Sequence, residues 1–515
     1  MNGLGAGARW AAIFFTGFLT SSASGVAAAG PAETGAVFVQ LFEWRWKDVA
    51  KECEMVLGPA GFQAVQVSPP NEHIDHNALP DPYRGAWWAR YQPVSFRLDS
   101  RSGSEDEFRS MVERCEDSGV EVYADAVINH MADNGDRGVA GTPFDRATRS
   151  YVAFDDSQFH EPCVIAPEDY WLNDQPSAAE ARARAMRVRV CQLGQLPDLA
   201  TESEDVRSVL GAYLDSLLDT GVRGLRIDAA KHMQPDDVGA ILAELSSPSY
   251  VFQEVIDTRG QSVSVDDYLA NGAITEFLYS LRLGEAFARH ELQDLETLNE
   301  AGGLLPSTSA VVFVDNHDNQ RGHGMAASTT HRDGATYQLA NTFMLAWPYG
   351  YPRLMSSYEW GGEDDNRGPP ADDAGNTLPV YLADGSSDCG NGRWICEHRN
   401  AQTLRMVSFR RNAFAAGAVH VANWWADDTA LAFSLNRSAG MPYAQIVLNA
   451  SKDTLRTQIP TSLPDSAYCA LEEANAECGR HAVVDGKLEV VLPPESSLVL
   501  EMPMVAAAGA AGQDR

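Results

Sequence analysis

Lysine is nearly missing from this chain. Five of its 39 basic residues are lysines (Lys47, Lys51, Lys231, Lys452, Lys487), set against 71 acidic residues, and the net charge is −32 over 515 residues. Most of such a surface repels a polyanion, so nucleic acid is not an expected partner. The shortage reads first as a GC-rich genome's preference for arginine codons. A second reading is adaptation to high salt, where self-repulsion is screened. Also missing are any CxxC pair and any HExxH run, which leaves a structural zinc site or a zinc protease without support. No apolar stretch of about 20 residues follows the first 29, so no membrane span is expected. Apolar residues at 44 % and charged residues at 21 % are ordinary globular usage, which excludes collagenous, coiled-coil and low-complexity classes. The length is a prior for several domains rather than one small module.

What is present begins with a targeting pattern. Residues 1–29 hold Arg9, an apolar stretch from Trp10 to Leu19 and Ala27-Ala28-Ala29, the sequence of a secretory signal peptide. Cleavage near Ala29 and a secreted, extracellular product are expected. Eight cysteines follow (Cys53, Cys115, Cys163, Cys191, Cys389, Cys396, Cys469, Cys478), an even number that suggests disulfides in an exported chain. Eight cysteines can pair in on the order of a hundred ways, and the sequence alone does not choose among them.

From about residue 36 to 355, β-branched and apolar runs alternate with segments of helical period: AVFVQLF (36–42), FQAVQVS (62–68), VEVYADAVI (120–128), GLRIDAA (224–230), YVFQEVI (250–256), AITEF (273–277), AVVFVD (310–315) and FMLAW (343–347). Eight such runs predict a (β/α)8 barrel. Helix candidates such as WKDVAKECEMVLG and EDEFRSMVERCEDSG each close on a glycine, where a left-handed cap is expected. The interval after the third run is too long for one helix, and 130–197 is rich in Asp, Gly, Pro and Arg, which predicts an inserted domain there. The barrel then comprises 30–129 and 198–417. Short alternating strands (ALAFSL, AQIVLN, KLEVVL, SLVLEM) predict a C-terminal antiparallel β-sandwich over 418–504, and 505–515 reads as a disordered tail.

A barrel of this kind builds its active site from the C-terminal ends of its strands. Here those ends read DAVINH (Asp125 to His130), GLRIDAAKH (Gly224 to His232), QEVID (Gln253 to Asp257) and FVDNHD (Phe313 to Asp318). Asp228, Glu254 and Asp318 thus reach the mouth. One such carboxylate alone would be read as a salt bridge or a cap; three at strand ends are not coincidence. Clustered carboxylates cannot all ionise freely, so their affinities for protons separate, and one pocket then holds both an acid and a nucleophile. Glycosidic bond hydrolysis needs that pair.

The motifs LFEWRW (41–46), QVSPPNE (66–72), WWARYQP (87–93), DAVINHM (125–131), GLRIDAAKHM (224–233), QEVID, FVDNHDNQRGHG (313–324) and CGNGRWICEHR (389–399) together resemble the α-amylases, and among them the chloride-dependent, animal type. The resemblance covers most of the mature chain. It implies a secreted, endo-acting enzyme that hydrolyses internal α-1,4-glucosidic bonds of starch or glycogen with retention, acting as a monomer on an α-glucan. Asp228 would be the nucleophile, Glu254 the general acid/base and Asp318 the third carboxylate. His130, His317 and Lys231 would hydrogen-bond the substrate. Trp87, Trp88 and Tyr91 would stack on glucose rings. A transglycosylase or oligosaccharide hydrolase of the same clan shares these carboxylates, and a silent glucan-binding protein would be expected to lose one of them.

The resemblance further implies a structural Ca2+ held by the side chains of Asn129 and Asp198 and the backbone carbonyls of Arg189 and His232, all hard oxygen donors, clamping the inserted domain to the barrel. It implies an activating Cl− on Arg226, Asn316 and Arg353. Two guanidiniums near Glu254 would hold it ionised, and a bound anion would offset that field so that it can carry a proton. The disulfides implied are Cys53–Cys115, Cys163–Cys191, Cys389–Cys396 and Cys469–Cys478. Two departures bear on product pattern: the loop GMAASTTH after His323 is shorter and less glycine-rich than in animal relatives, and Gln261 stands where an acidic residue is usual.

Overall fold

The computed structural model describes residues 31–247, 249–362, 364–438, 440–471 and 480–502. The expected signal peptide and the expected tail lie outside the described residues. Eight short strands, β1 (Phe38–Leu41), β2 (Ala64–Val67), β3 (Glu121–Ala126), β4 (Gly224–Ile227), β5 (Tyr250–Gln253), β6 (Ala273–Thr275), β7 (Ala310–Val312) and β8 (Tyr351–Ser356), pair in parallel in chain order. They close into a barrel where β8 returns to β1, with Phe38 opposite Arg353.

Seven strands fall within the runs read from the sequence. The eighth does not. FMLAW (343–347) forms the end of a helix, Ala335–Ala346, whose last turns are buried on every side, and β8 is YPRLMS. An apolar run buried all round has no periodicity to separate helix from strand. Pro352 and Arg353 also argue against a strand on composition, since proline cannot donate to the ladder. The helix opening at Trp46 is likewise capped later than expected. Gly58 keeps right-handed dihedrals, and the left-handed turn falls at Gly61, with φ of 81°. The helix Glu105–Asp117 does turn out at Gly119, with φ of 74°.

Side chains alternate in and out along each strand, and this period of two layers the barrel interior. Phe38, Tyr123, Phe252 and Tyr351 point inward and form an aromatic floor, Phe38 lying 4.7–5.6 Å from the other three ring centroids. Two residues further along the same strands stand Gln40, Asp125, Glu254 and Arg353, all buried. On β4 the position level with the floor is Gly224. A Cβ there would lie 2.4 Å from the Tyr123 ring, so no side chain fits. Arg226 and then Asp228 follow it on the inward face.

Residues 127–223 connect β3 to β4 and carry the helices Ala178–Val190 and Glu204–Leu218. Beyond the helix Ala401–Ala415, two four-stranded antiparallel sheets pack face to face. One contains Ala430–Ser438 and Met441–Asn449, the other Leu455–Pro460 and Lys487–Leu492, and Ala432, Val447, Ile459, Leu488, Val490 and Leu500 fill the space between them. Between described residues the disulfides are Cys53–Cys115, Cys163–Cys191 and Cys389–Cys396. Cys469 is also disulfide-bonded, and Cys478 lies outside the described residues. Among the described residues no helix is long and apolar enough to cross a membrane.

Candidate active site

The polar layer above the aromatic floor is organised by one guanidinium. Arg226 is 1 % exposed. Its Nη1 donates to Asp125 Oδ1 at 2.5 Å and Asp228 Oδ1 at 2.8 Å, and its Nη2 lies 2.8 Å from Glu254 Oε1. Asp228 and Glu254 are therefore held by the two terminal nitrogens of one planar group. The backbone N–H of Ala229 ties them again, donating to Glu254 Oε2 at 3.0 Å. Ala229 adopts the left-handed conformation, with φ of 49°, a strained geometry that persists only where its surroundings impose it.

Burial works against the Arg226 charge, but Asp125, Glu254 and Asp228 outweigh it and hold the guanidinium well above its ordinary value. Burial likewise pushes Asp228 well above the usual carboxylate range against the pull of Arg226, the charges of Glu254 and Asp125 adding to it. Burial and the Glu254 charge push Asp318 up to about 7. Crowded around one guanidinium, these carboxylates oppose one another's ionisation, which is felt at Asp228 and Asp318.

His317 bridges this cluster to the barrel wall. Its Nδ1 is 3.1 Å from Gln40 Nε2, and its Nε2 is 3.1 Å from Asp318 Oδ2. The amide must donate, which leaves the Nε2 proton for Asp318. Burial, with the charges of Arg226, Arg353 and Arg321, keeps the ring neutral. His130 lines the cleft, but its nitrogens face the Tyr91 carbonyl at 2.9 Å and Asn129 Nδ2 at 3.3 Å, so both are engaged within the protein.

The three aromatics expected to stack on sugar differ in exposure. Trp87 is nearly buried, packs edge-on against Phe42 and His317, and donates its Nε1 to Asp365 O at 2.7 Å. Trp88 is partly exposed and anchored through Asn366 Oδ1 at 3.0 Å. Tyr91 stacks on His317 with ring centroids 5.2 Å apart and gives its hydroxyl proton to Asp125. All three line a cleft of about 940 Å³ with Asp228, Glu254 and Asp318. Lys231 enters it from the other direction, bonded to Ile256 O at 2.5 Å and to the Gln261 side chain, and burial lowers its ammonium to about 8.

Asp125 and Arg321 carry weight that the strand-end motifs did not reveal. Asp125 opens DAVINH, and its place two residues after Tyr123 on the inward face was the available signal. Arg321 sits 5.0–5.7 Å from the rings of Phe42, Trp87, Tyr358 and Trp360 and donates to His317 O at 2.7 Å, fixing the loop that carries Asp318.

The residues expected to hold a cation and an anion also converge. Leu199 N donates to Asn129 O at 3.0 Å, His130 pairs with Asp198, and His232 Nδ1 meets Val188 O at 2.9 Å, so Asn129, Asp198, His232 and the end of the helix Ala178–Val190 adjoin. Asp198 Oδ2 is 2.7 Å from His160 Nδ1, whereas its Oδ1 is buried without a hydrogen-bond partner. The Arg189 side chain turns away to Asp267 and Tyr268. Among the described residues no group of three or more His, Cys, Asp or Glu is arranged to hold a metal, and the expected set contains a single carboxylate. On the anion side, Arg226 Nε and Arg353 Nη2 are buried donors without acceptors. Arg353 is lowered to about 10 by burial and by the like charge of Arg226. Asn316 accepts from Asp318 N and Asn319 N through its Oδ1, so its carbonyl shapes the turn.

Residues 61–240 match the family model described as "Alpha amylase, catalytic domain". The chain is 42 % identical over 457 residues to pancreatic alpha-amylase 2a5 of Mus musculus, covering 84 % of this chain and 85 % of that one. It is 41 % identical over 459 residues to the pancreatic alpha-amylase of Sus scrofa, covering 84 % and 86 %. Among solved structures, alpha-amylase I of Eisenia fetida superposes with a TM-score of 0.79 at 34 % identity, covering 91 % of this chain and 97 % of that one. A variant of that worm enzyme, solved in complex with maltohexaose, superposes with a TM-score of 0.78.

Proposed function

The chain belongs to the α-amylase family and is a glycoside hydrolase of α-glucans, and from that premise we propose that it cuts internal α-1,4-glucosidic bonds with retention through a covalent intermediate on Asp228. The observation that carries this reading is the sharing of Arg226 by Asp228 and Glu254. A retaining mechanism needs nucleophile and acid only about 5 Å apart, and two carboxylates each 2.8 Å from a terminal nitrogen of one guanidinium support that closeness. Glu254 donates its proton to the leaving oxygen while an Asp228 oxygen bonds the anomeric carbon. Glu254 then takes a proton from water, whose oxygen bonds the anomeric carbon on the face that the leaving group vacated and displaces Asp228 from the opposite face, so the original configuration is restored. Asp318, facing His317 Nε2, meets the hydroxyls of the sugar being cut, and Trp88 and Tyr91 stack on its neighbours.

On this reading residues 130–197 form an inserted unit, the barrel comprises 30–129 and 198–417, and 418–504 form the C-terminal domain. Asn129, Asp198 and the carbonyls of Arg189 and His232 would hold calcium, for which the unpartnered Asp198 Oδ1 is fitted. The role would be structural. Arg226 and Arg353, with their unpartnered N–H groups, and Asn316 would hold chloride, which would supply a negative charge between the two guanidiniums. Secretion is supported by the disulfides, which persist in oxidising compartments.

Proton NMR of maltooligosaccharide hydrolysis should show the α-anomer as first product. Asp228→Asn and Glu254→Gln should each lower kcat on soluble starch by at least ~10³-fold while the protein still folds, because an amide neither attacks nor protonates. A β-anomer first, or more than a tenth of activity in either variant, overturns the assignment.

A further inference from the structure

One wall of the cleft carries an aromatic residue to which the reading above gives no task. Trp171 is 41 % exposed, and no other tryptophan among the described residues is as open. Its ring enters no aromatic pair, and its Nε1 makes no hydrogen bond among the described residues. An exposed indole on a loose loop would mean little, but this backbone is fastened. Leu172 N donates to Gly260 O at 3.0 Å, and Ser262 N donates to Tyr170 O at 3.0 Å, so the segment is zipped to the loop that follows β5. Arg184, gripping Asp174 at 2.7–2.8 Å through both terminal nitrogens, donates to Trp171 O at 2.8 Å. The indole is thus a flat apolar surface carried on a fastened backbone at the wall of the cleft. That is the form that meets the C–H face of a pyranose ring at small entropic cost.

Its side of the cut follows from its neighbours. Trp171 pairs with Gln261, whose side chain bonds Lys231, and Gln261 belongs to the loop that leaves the strand carrying Glu254. Trp87 and Tyr91 lie instead against His317, the neighbour of Asp318. Glu254 protonates the oxygen of the departing half of the glucan, so the wall beyond Glu254 faces that half.

We propose that Trp171 is a stacking platform for a glucose unit on the leaving-group side of the cut, and that this platform sets how many units depart in one cut. The proposal rests on the retaining α-amylase reading and names a part of its substrate site.

The test compares two substrates in W171A, W171F and the parent enzyme. Maltotriosyl fluoride has no sugar on the leaving side, whereas maltoheptaose labelled at its reducing end does. W171A should lose about tenfold more kcat/KM on maltoheptaose than on the fluoride, the loss of one stacking contact. Its cuts should move toward shorter reducing-end products, and W171F should restore most of both properties. Equal losses on the two substrates would mean a structural role and would overturn the proposal, as would an unchanged cutting pattern. Failure of the parent enzyme on both substrates would instead overturn the hydrolase reading, and is separable because the W171A comparison is made between active proteins.

Discussion

Asp318 is an aspartate that holds its proton up to about pH 7, because burial and the Glu254 charge oppose its ionisation. An unfolded aspartate titrates near 4, so between about pH 4 and 7 the folded state binds more protons than the unfolded one. Stability must therefore fall as pH rises through that window. Asp318→Asn removes the cost of a buried charge along with the carboxylate. Its melting temperature at pH 8 should exceed the parent's by a few degrees, with the gap closing near pH 4, while activity on starch falls by at least ~10²-fold. Calorimetry at the two pH values checks this, and a variant less stable at pH 8 would refute it. That Asp228, Glu254 and Asp318 stand together was legible because each ends a strand motif. Asp125 was not singled out, because its task is to hold Arg226 and Tyr91 from a fully buried position, and burial leaves no mark on a carboxylate's letter in a sequence.

At the scale of elements, what hid β8 was local composition overruled by closure. A strand flanked on both edges accepts Pro352 and Arg353 when its inward face meets a polar layer, and no short window around YPRLMS contains that information. The aromatic floor shows the reverse dependence, in which one residue limits an element. Gly224→Ala would drive a methyl into the Tyr123 ring. The variant should lose about 1–3 kcal/mol in urea unfolding, because a packed core absorbs added volume poorly. A loss of activity should accompany it, since Arg226 and Asp228 follow on the same strand. The connection between β3 and β4 depends on a different tie. If calcium bridges Asn129 and Asp198 to the Arg189 and His232 carbonyls, excess chelator should lower the melting temperature and open residues 130–197 to protease first. An unchanged melting curve, with metal content verified as zero, would remove those residues from the site.

Over the whole molecule, a net charge of −32 makes any response to salt ambiguous, because screening alone alters stability. Exchange of chloride for a larger anion at constant ionic strength separates the two effects. With the anion gone, the negative charge proposed between Arg226 and Arg353 is lost from beside the catalytic carboxylates. The parent should therefore lose activity at neutral pH. Arg353→Gln, one guanidinium fewer, should depend less on chloride or not at all. Identical profiles in both salts would mean that no specific anion site exists. Fold class and the order of motifs were readable across this length because many spaced motifs agree, whereas the join between chain segments around Trp171 was not, since 169–172 and 260–262 meet only after folding. The floor of Phe38, Tyr123, Phe252 and Tyr351 has one more consequence. It stoppers the barrel like the base of a cup, so a polymer cannot be threaded through and fed from one end. It must be bound at the rim, by the loops that leave the strand ends, so the rim and not the barrel interior decides which stretch of the polymer is held.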